Sequence, residues 1–329
     1  MALTRRHALT SAVALAAAPL FPAVPARAAA PVSGKQNAGF YRYKVGDTEV
    51  TVVSDGSVTV PLPDGLVTNA KKEEVAASLE KAFRPRDTIS FYFGPLVLNT
   101  GGKLIVIDTG NGPGAFASSK GANGQFATNL AAAGIDAKAV DMVVISHFHS
   151  DHVNGLLTAD NQPAFPNAEV LVPAVEWKYW MDDGEMSRAP AGRMEGLFKN
   201  NRRVFETGLK KKVTPYEWDK DIVTGLRAVE TIGHTPGHTS YVLSSGPNTV
   251  FIQSDVTNNP EPFARNPGWH AFFDQDGSQA ETTRRKVYDM LAADRMLMQG
   301  FHYPFPGLAY IEKDGSGYRW VPSPWNPSI

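Results

Sequence analysis

The sequence predicts an α/β fold, and three observations carry that reading. Short continuous apolar runs of strand length recur along the chain. Between them lie segments with apolar residues at helical spacing. Side chains able to bind metal stand just beyond several of the runs, where ligand sites gather on open α/β sheets. The composition agrees: 329 residues, 43% hydrophobic and 20% charged, belong to an ordinary globular chain and exclude disordered, collagen-like and coiled-coil classes. There are no cysteines, which removes disulfides, Cys-ligated zinc, Fe–S clusters and thiol catalysis together.

The chain opens on Thr4-Arg5-Arg6-His7-Ala8-Leu9, followed by an Ala-rich apolar run and then Pro25-Ala26-Arg27-Ala28. A basic start, a short apolar middle and a small-residue end predict a signal peptide over residues 1–28. The paired arginines and weakly apolar middle predict twin-arginine export, hence a periplasmic or secreted protein with a single domain over 29–329. Without the leader, 29 basic residues stand against 33 acidic ones. A mildly acidic body without a long Lys/Arg run argues against a nucleic-acid partner. No later apolar stretch reaches the roughly 18 residues of a membrane span.

Residues 39–54, 91–99 and 307–321 read as strands and hairpins. Residues 71–83, 126–134 and 280–293 carry apolar residues at helical spacing. Asp141-Met142-Val143-Val144-Ile145 is a continuous apolar run after an acid, the pattern of a buried strand. Residues 226–232, 249–253 and 295–300 form three more strand-like runs. Residues 181–203, rich in charge, Met and Gly, are expected to form a mobile cover.

Beyond the leader seven histidines remain, and five fall in two clusters. The first is Ser146-His147-Phe148-His149-Ser150-Asp151-His152, directly after the strand at 141–145. Side chains two apart on extended backbone project to one side, so His147 and His149 can converge on one metal ion. Asp151 and His152 follow where the chain turns towards a helix, and can face a second ion about 3.5–4 Å from the first. The second cluster, Gly233-His234-Thr235-Pro236-Gly237-His238, follows the run at 226–232. Asp255 and His302 stand just past the runs at 249–253 and 295–300. His238 is expected to support the ligands, and His270, beside Trp269, to be structural.

This order, His147-x-His149-x-Asp151-His152 with His234, Asp255 and His302, resembles the metallo-β-lactamase superfamily. The resemblance implies a four-layer αββα sandwich with the site at one edge between two sheets. Asp108-Thr109-Gly110, after Lys103–Ile107, matches the family's D-T-G turn and implies that Asp108 supports the metal-bound histidines. Several weaker segments look like the methyl parathion hydrolase and dinuclear zinc lactonase branch: Ser54-Asp55-Gly56, Phe165-Pro166-Asn167-Ala168, Gly233 to Thr239, and Phe305-Pro306-Gly307. By position, Phe116, Trp180 and Phe198 look like that branch's aromatic substrate-gating residues. Phe272-Phe273 lie downstream of Asp255, and Phe273 is a further candidate wall. Related lactonases place a tyrosine three residues after the bridging aspartate. Here that position is Asn258, which can bond an oxyanion but cannot serve as the same acid.

The expected site holds two Zn²⁺: one on His147, His149 and His234, the other on Asp151, His152 and His302, with Asp255 and a water-derived oxygen between them. Mn, Co or Fe could occupy the same ligands. Zinc lowers the pKa of bound water from 15.7 to about 7, which suits hydrolysis of lactones or aryl esters, with Asp151 or Asp255 moving a proton. The same residues would serve an organophosphate triesterase. A more distant alternative is a mononuclear iron sulfur dioxygenase, in which His152 and His302 bind no metal. The expected partner is a small neutral ester, lactone or triester. The oligomeric state, homodimer included, stays open.

Overall fold

Valine, isoleucine and leucine crowd the short apolar runs, and these become strands buried on both faces. The computed structural model describes residue 34 and residues 36–329, so the expected leader over 1–28 lies outside the described residues. One sheet is built from β1 (Phe40–Val45), β2 (Thr48–Val53), β5 (Leu96–Thr100), β6 (Lys103–Ile107), β7 (Met142–Val144), β8 (Glu169–Pro173) and β9 (Thr214–Tyr216), in that order. Its first four strands are antiparallel neighbours, and β6 to β9 run parallel. The other sheet follows chain order: β10 (Asp221–Val223), β11 (Leu226–Glu230), β12 (Thr239–Ser245), β13 (Asn248–Ser254), β14 (Leu297–Gly300), β15 (Leu308–Asp314) and β16 (Gly317–Pro322). Only β13 and β14 are parallel there. A separate pair, β3 (Gly56–Pro61) and β4 (Thr88–Phe93), is antiparallel.

Strand alternation assigns side chains to layers. Leu96, Leu98, Ile105 and Ile107 face the second sheet and meet Leu226, Tyr241, Leu243, Val250 and Ile252. Val97 and Val106, one residue out of step, face the opposite way and pack with helical residues. Those helices are α3 (Phe126–Ala132), the short α4 (Ser150–Val153), α5 (Ala174–Trp180), α6 (Asp183–Arg188) and α7 (Arg193–Asn201); α1 (Lys72–Lys81) and α2 (Gly112–Ser118) complete the set before the last helix. The outer face of the second sheet packs Phe251, Met298 and Ile311 against Val287, Tyr288 and Leu291 of α8 (Gly277–Asp294). Helices, sheet, sheet and helix make the expected αββα layering. Full burial of such side chains contributes roughly 1.5–3 kcal/mol each, so the two sheet faces dominate the stability.

The segment 91–99, expected as strand or hairpin, divides between two strands in different sheets. Pro95 has no N–H to continue a ladder, so the chain turns at Gly94-Pro95 and passes from β4 to β5. α8 starts three residues earlier than its apolar spacing shows, because the Asp276 side chain caps it by accepting from the Gln279 N–H. No described helix is long and apolar enough to cross a membrane.

Candidate active site

The loops that follow β6, β7, β11, β13 and β14 carry Asp108, residues 146–152, His234, Asp255 and His302. They bring seven side chains together in two groups: His147, His149, His234 and Asp255; and Asp151, His152 and His302. In the first, His149 Nδ1 lies 3.2 Å from His147 Nε2 and 2.8 Å from His234 Nε2. Ligand nitrogens about 2.0–2.1 Å from a tetrahedral zinc stand at about this separation from each other. In the second, Asp151 Oδ2 lies 3.6 Å from His152 Nε2 and 3.3 Å from His302 Nε2. Asp255 spans both: Oδ2 is 3.2 Å from His234 Nε2 and 3.0 Å from His302 Nε2, while Oδ1 is 3.3 Å from His152 Nε2.

Hydrogen bonds on the far side of each ring fix which nitrogen faces the cluster. The Nδ1–H of His152 donates to Asp108 Oδ2 at 2.8 Å, that of His234 to Asp274 Oδ1 at 2.7 Å, and that of His302 to the Tyr92 carbonyl at 2.8 Å. Ser146 Oγ donates to Asp108 Oδ2 and lies 3.0 Å from His147 Nδ1, whose proton it accepts. All four rings therefore aim an Nε2 lone pair inward, the arrangement that orients metal-binding histidines. His152 Nε2 and Asp255 Oδ1 are buried without any hydrogen-bond partner. The two atoms stand 3.3 Å apart, and a metal ion in contact with both would satisfy them.

The electrostatics point the same way. Burial lowers His147 and His149 well below the usual imidazole range, and neighbouring rings add to the effect. At His152 burial also opposes charge, but Asp255, Asp108 and Asp151 outweigh it and raise the group well above that range. Burial likewise opposes charge at His234, yet Asp255 and Asp274 bring it up to about 9. Burial would raise Asp255, but His302, His152 and His147 hold it well below the usual carboxylate range. The centre thus keeps its carboxylate ionised, and the positive charge that the acids draw onto His152 and His234 as protons is charge a metal ion would supply in their place.

His238 supports the ligands without joining them. Burial lowers it to about 3, so the ring is neutral. Its Nδ1–H donates to the Thr231 carbonyl and its Nε2 accepts the Asp255 N–H at 2.9 Å, which fixes the backbone of Asp255. His270 stays outside the cluster, 3.0 Å from Glu281.

Above the cluster opens a cavity of about 540 Å³, walled by Val58, Val60, Leu66, Phe91, Phe93 and the Phe272-Phe273 pair. Asn258 and Phe273 line it as expected, and Asn258 Nδ2–H donates to Asp255 Oδ2 at 2.8 Å. From the 181–203 segment, Arg193, Gly196 and Leu197 reach it.

Three expected wall residues do not. Trp180 is wholly buried between the helices and the first sheet, where its Nε1–H donates to Glu176 at 2.7 Å. Phe198 is wholly buried against it, ring centres 4.7 Å apart. Both face the sheet because core packing, not the cavity, fills that side of α5 and α7. Phe116 is 42% exposed and lines a second cavity with Phe126 and Leu130.

Sequence reasoning missed three residues. Asp274 orients His234 and also meets Arg284; it sits just before the α8 cap, where acids are common, and carries no distinguishing signal. Arg193 at the cavity mouth hides within a charged stretch. Glu176 is wholly buried, and its carboxylate accepts from Phe148 N–H at 2.9 Å and Gly237 N–H at 2.6 Å, tying the two histidine loops together. An acid inside the aromatic stretch 176–180 was the available clue.

Comparison with known proteins agrees with this geometry. A curated N-acyl homoserine lactonase from Bacillus sp. is 28% identical over 130 residues, covering 37% of this chain and 43% of that protein. The matched stretch thus spans less than half of the relative's length. The crystal structure of the hydrolase AbOPH, of the beta lactamase superfamily, superposes with a TM-score of 0.80 at 27% identity, covering 89% of this chain and 100% of that one. AidC, a dizinc quorum-quenching lactonase solved in complex with a product, gives 0.78 at 24% identity over 88% and 98%. Residues 96–298, well over half of the sequence, match the family, and the chain belongs to the metallo-beta-lactamase superfamily.

Proposed function

We propose that the protein is a two-metal hydrolase that cleaves lactones or aryl esters. The convergence of seven side chains in two groups sharing Asp255, with buried acceptor atoms lacking any partner, carries this reading. His147, His149 and His234 would hold one metal, Asp151, His152 and His302 the other, and Asp255 would contact both. Imidazole and carboxylate donors without sulfur suit Zn²⁺. Such a pair supplies a hydroxide nucleophile at neutral pH and Lewis acidity towards the carbonyl.

The chain's own residues do the rest. Phe91, Phe93, Phe272 and Phe273 receive an apolar acyl or aryl group and exclude water from the scissile bond. Asn258 holds Asp255 in place through its amide N–H. The Asp255 side chain is 2% exposed and set between the two groups, whereas that of Asp151 is 22% exposed and lines the cavity, so Asp151 is the carboxylate placed to move a proton. A phenolate leaves without a strong acid, which fits asparagine at 258. The lactone names of relatives support the substrate class. The one-metal oxygenase reading needs His152 and His302 apart from the cluster, and their approach to Asp255 argues against it.

The test is a metal count on purified protein together with hydrolysis of dihydrocoumarin, phenyl acetate, a homoserine lactone and methyl parathion. About two metals per chain with lactone or ester turnover supports the proposal. Turnover of the triester alone, or one iron with oxygen uptake, contradicts it.

A further inference from the structure

Arg193 carries the single guanidinium or ammonium group among the described residues lining the cavity over the cluster. It opens α7, and its side chain reaches across the mouth. Nη2 lies 3.2 Å from His149 Nε2, and the guanidinium carbon lies 5.8 Å from the centre of the Phe272 ring. Among the described residues it forms no ion pair. The nearby acids are engaged elsewhere: Asp274 by His234 and Arg284, and Asp151 by His152 and His302.

His149 differs from the other rings in the cluster, because it faces its neighbours through Nδ1. As a neutral ligand it must then carry its proton on Nε2. A guanidinium has no acceptor either. With Nδ1 given to a metal, the contact at 3.2 Å would set two donors side by side at the mouth of the cavity, with no protein acceptor between them. Such a pair calls for an oxygen with free lone pairs, and the planar fork of arginine matches a carboxylate best.

We propose that Arg193 and the His149 Nε2–H form a carboxylate-binding subsite, so that the preferred ester or lactone carries a carboxylate a few atoms from its scissile carbonyl. This rests on the two-metal reading, because that reading sets the protonation of His149. The substrate is then an amphiphilic acid: its ester lies over the cluster, its hydrocarbon part lies along Phe272 and Phe273, and its anionic end meets α7. Arg193 selects for that end and takes no part in bond breaking.

The zinc-loaded protein is titrated calorimetrically with glutarate and with pentanoate, which share a five-carbon chain and differ by a carboxylate in place of the far methyl. Glutarate is expected to bind at least about fivefold tighter, a modest factor because the mouth is partly solvated. In Arg193→Met the ratio should fall to near one, while Arg193→Lys should keep part of it. The same direction is expected in kcat/KM for 5-oxotetrahydrofuran-2-carboxylate against γ-valerolactone. Metal content is measured on the same samples. A native protein with two metals and no preference, or a preference that survives Arg193→Met, overturns the subsite and leaves the metal centre standing. A native protein that binds no divalent metal overturns the centre and the subsite with it.

Discussion

Among the described residues, two cavities match in size at about 540 Å³, and both have mostly apolar walls. One lies over the histidine–aspartate cluster; the other lies between α2, α3 and the loop at 155–165, with Phe116 at its edge. Size and apolar lining do not separate them. The first receives lone pairs from opposite sheets, held inward by partners behind them. In the second, the few polar side chains meet no convergent partner. A candidate site is therefore marked by unsatisfied polar atoms that converge, and the apolar wall only adds room for a substrate.

Four substitutions sharpen that contrast. Trp180→Ala is expected to lower stability by about 3–5 kcal/mol, measured by chemical denaturation, because it empties a fully buried site. A stable variant with an altered substrate profile would return Trp180 to the cavity wall. Asp255→Ala should lower kcat/KM for the best ester by at least about a hundredfold, since both groups lose their shared carboxylate. Near-normal turnover at full metal content would break the reading. Asp274→Asn should cost about 10–100-fold in metal affinity or activity by loosening His234, as competition with a chelator would show. Phe116→Ala should change stability by less than about 0.5 kcal/mol and leave the ranking of substrates intact, whereas any effect on that ranking would make the second cavity part of the site.

The floor of the cavity over the cluster was legible in the sequence, and its walls only in part, at Asn258 and Phe273. His147 and His149 sit two apart on extended backbone, and His234, Asp255 and His302 each end an apolar run, so local rules suffice to place them. Glu176, Asp274 and Arg193 reach the site only through tertiary packing, and no spacing rule announces them. Two of the aromatic candidates, Trp180 and Phe198, lie away from the cavity for a related reason. Adjacent residues on a helix point about 100° apart, so Leu197 faces the cavity while Phe198, next to it, is buried in the core. Residue type alone could not tell those faces apart. The strand boundary at Gly94-Pro95 was readable from proline's missing donor, yet only the assembled sheets show that β4 and β5 part there.

The most direct measurement is the metal content of the purified protein beside His302→Ala, each determined by elemental analysis after removal of loosely bound ions. About two divalent metals per chain are expected in the native protein and about one in the variant, because His302 belongs to the second group alone. A native protein holding only one, or a variant that still holds two, contradicts a centre built from both groups.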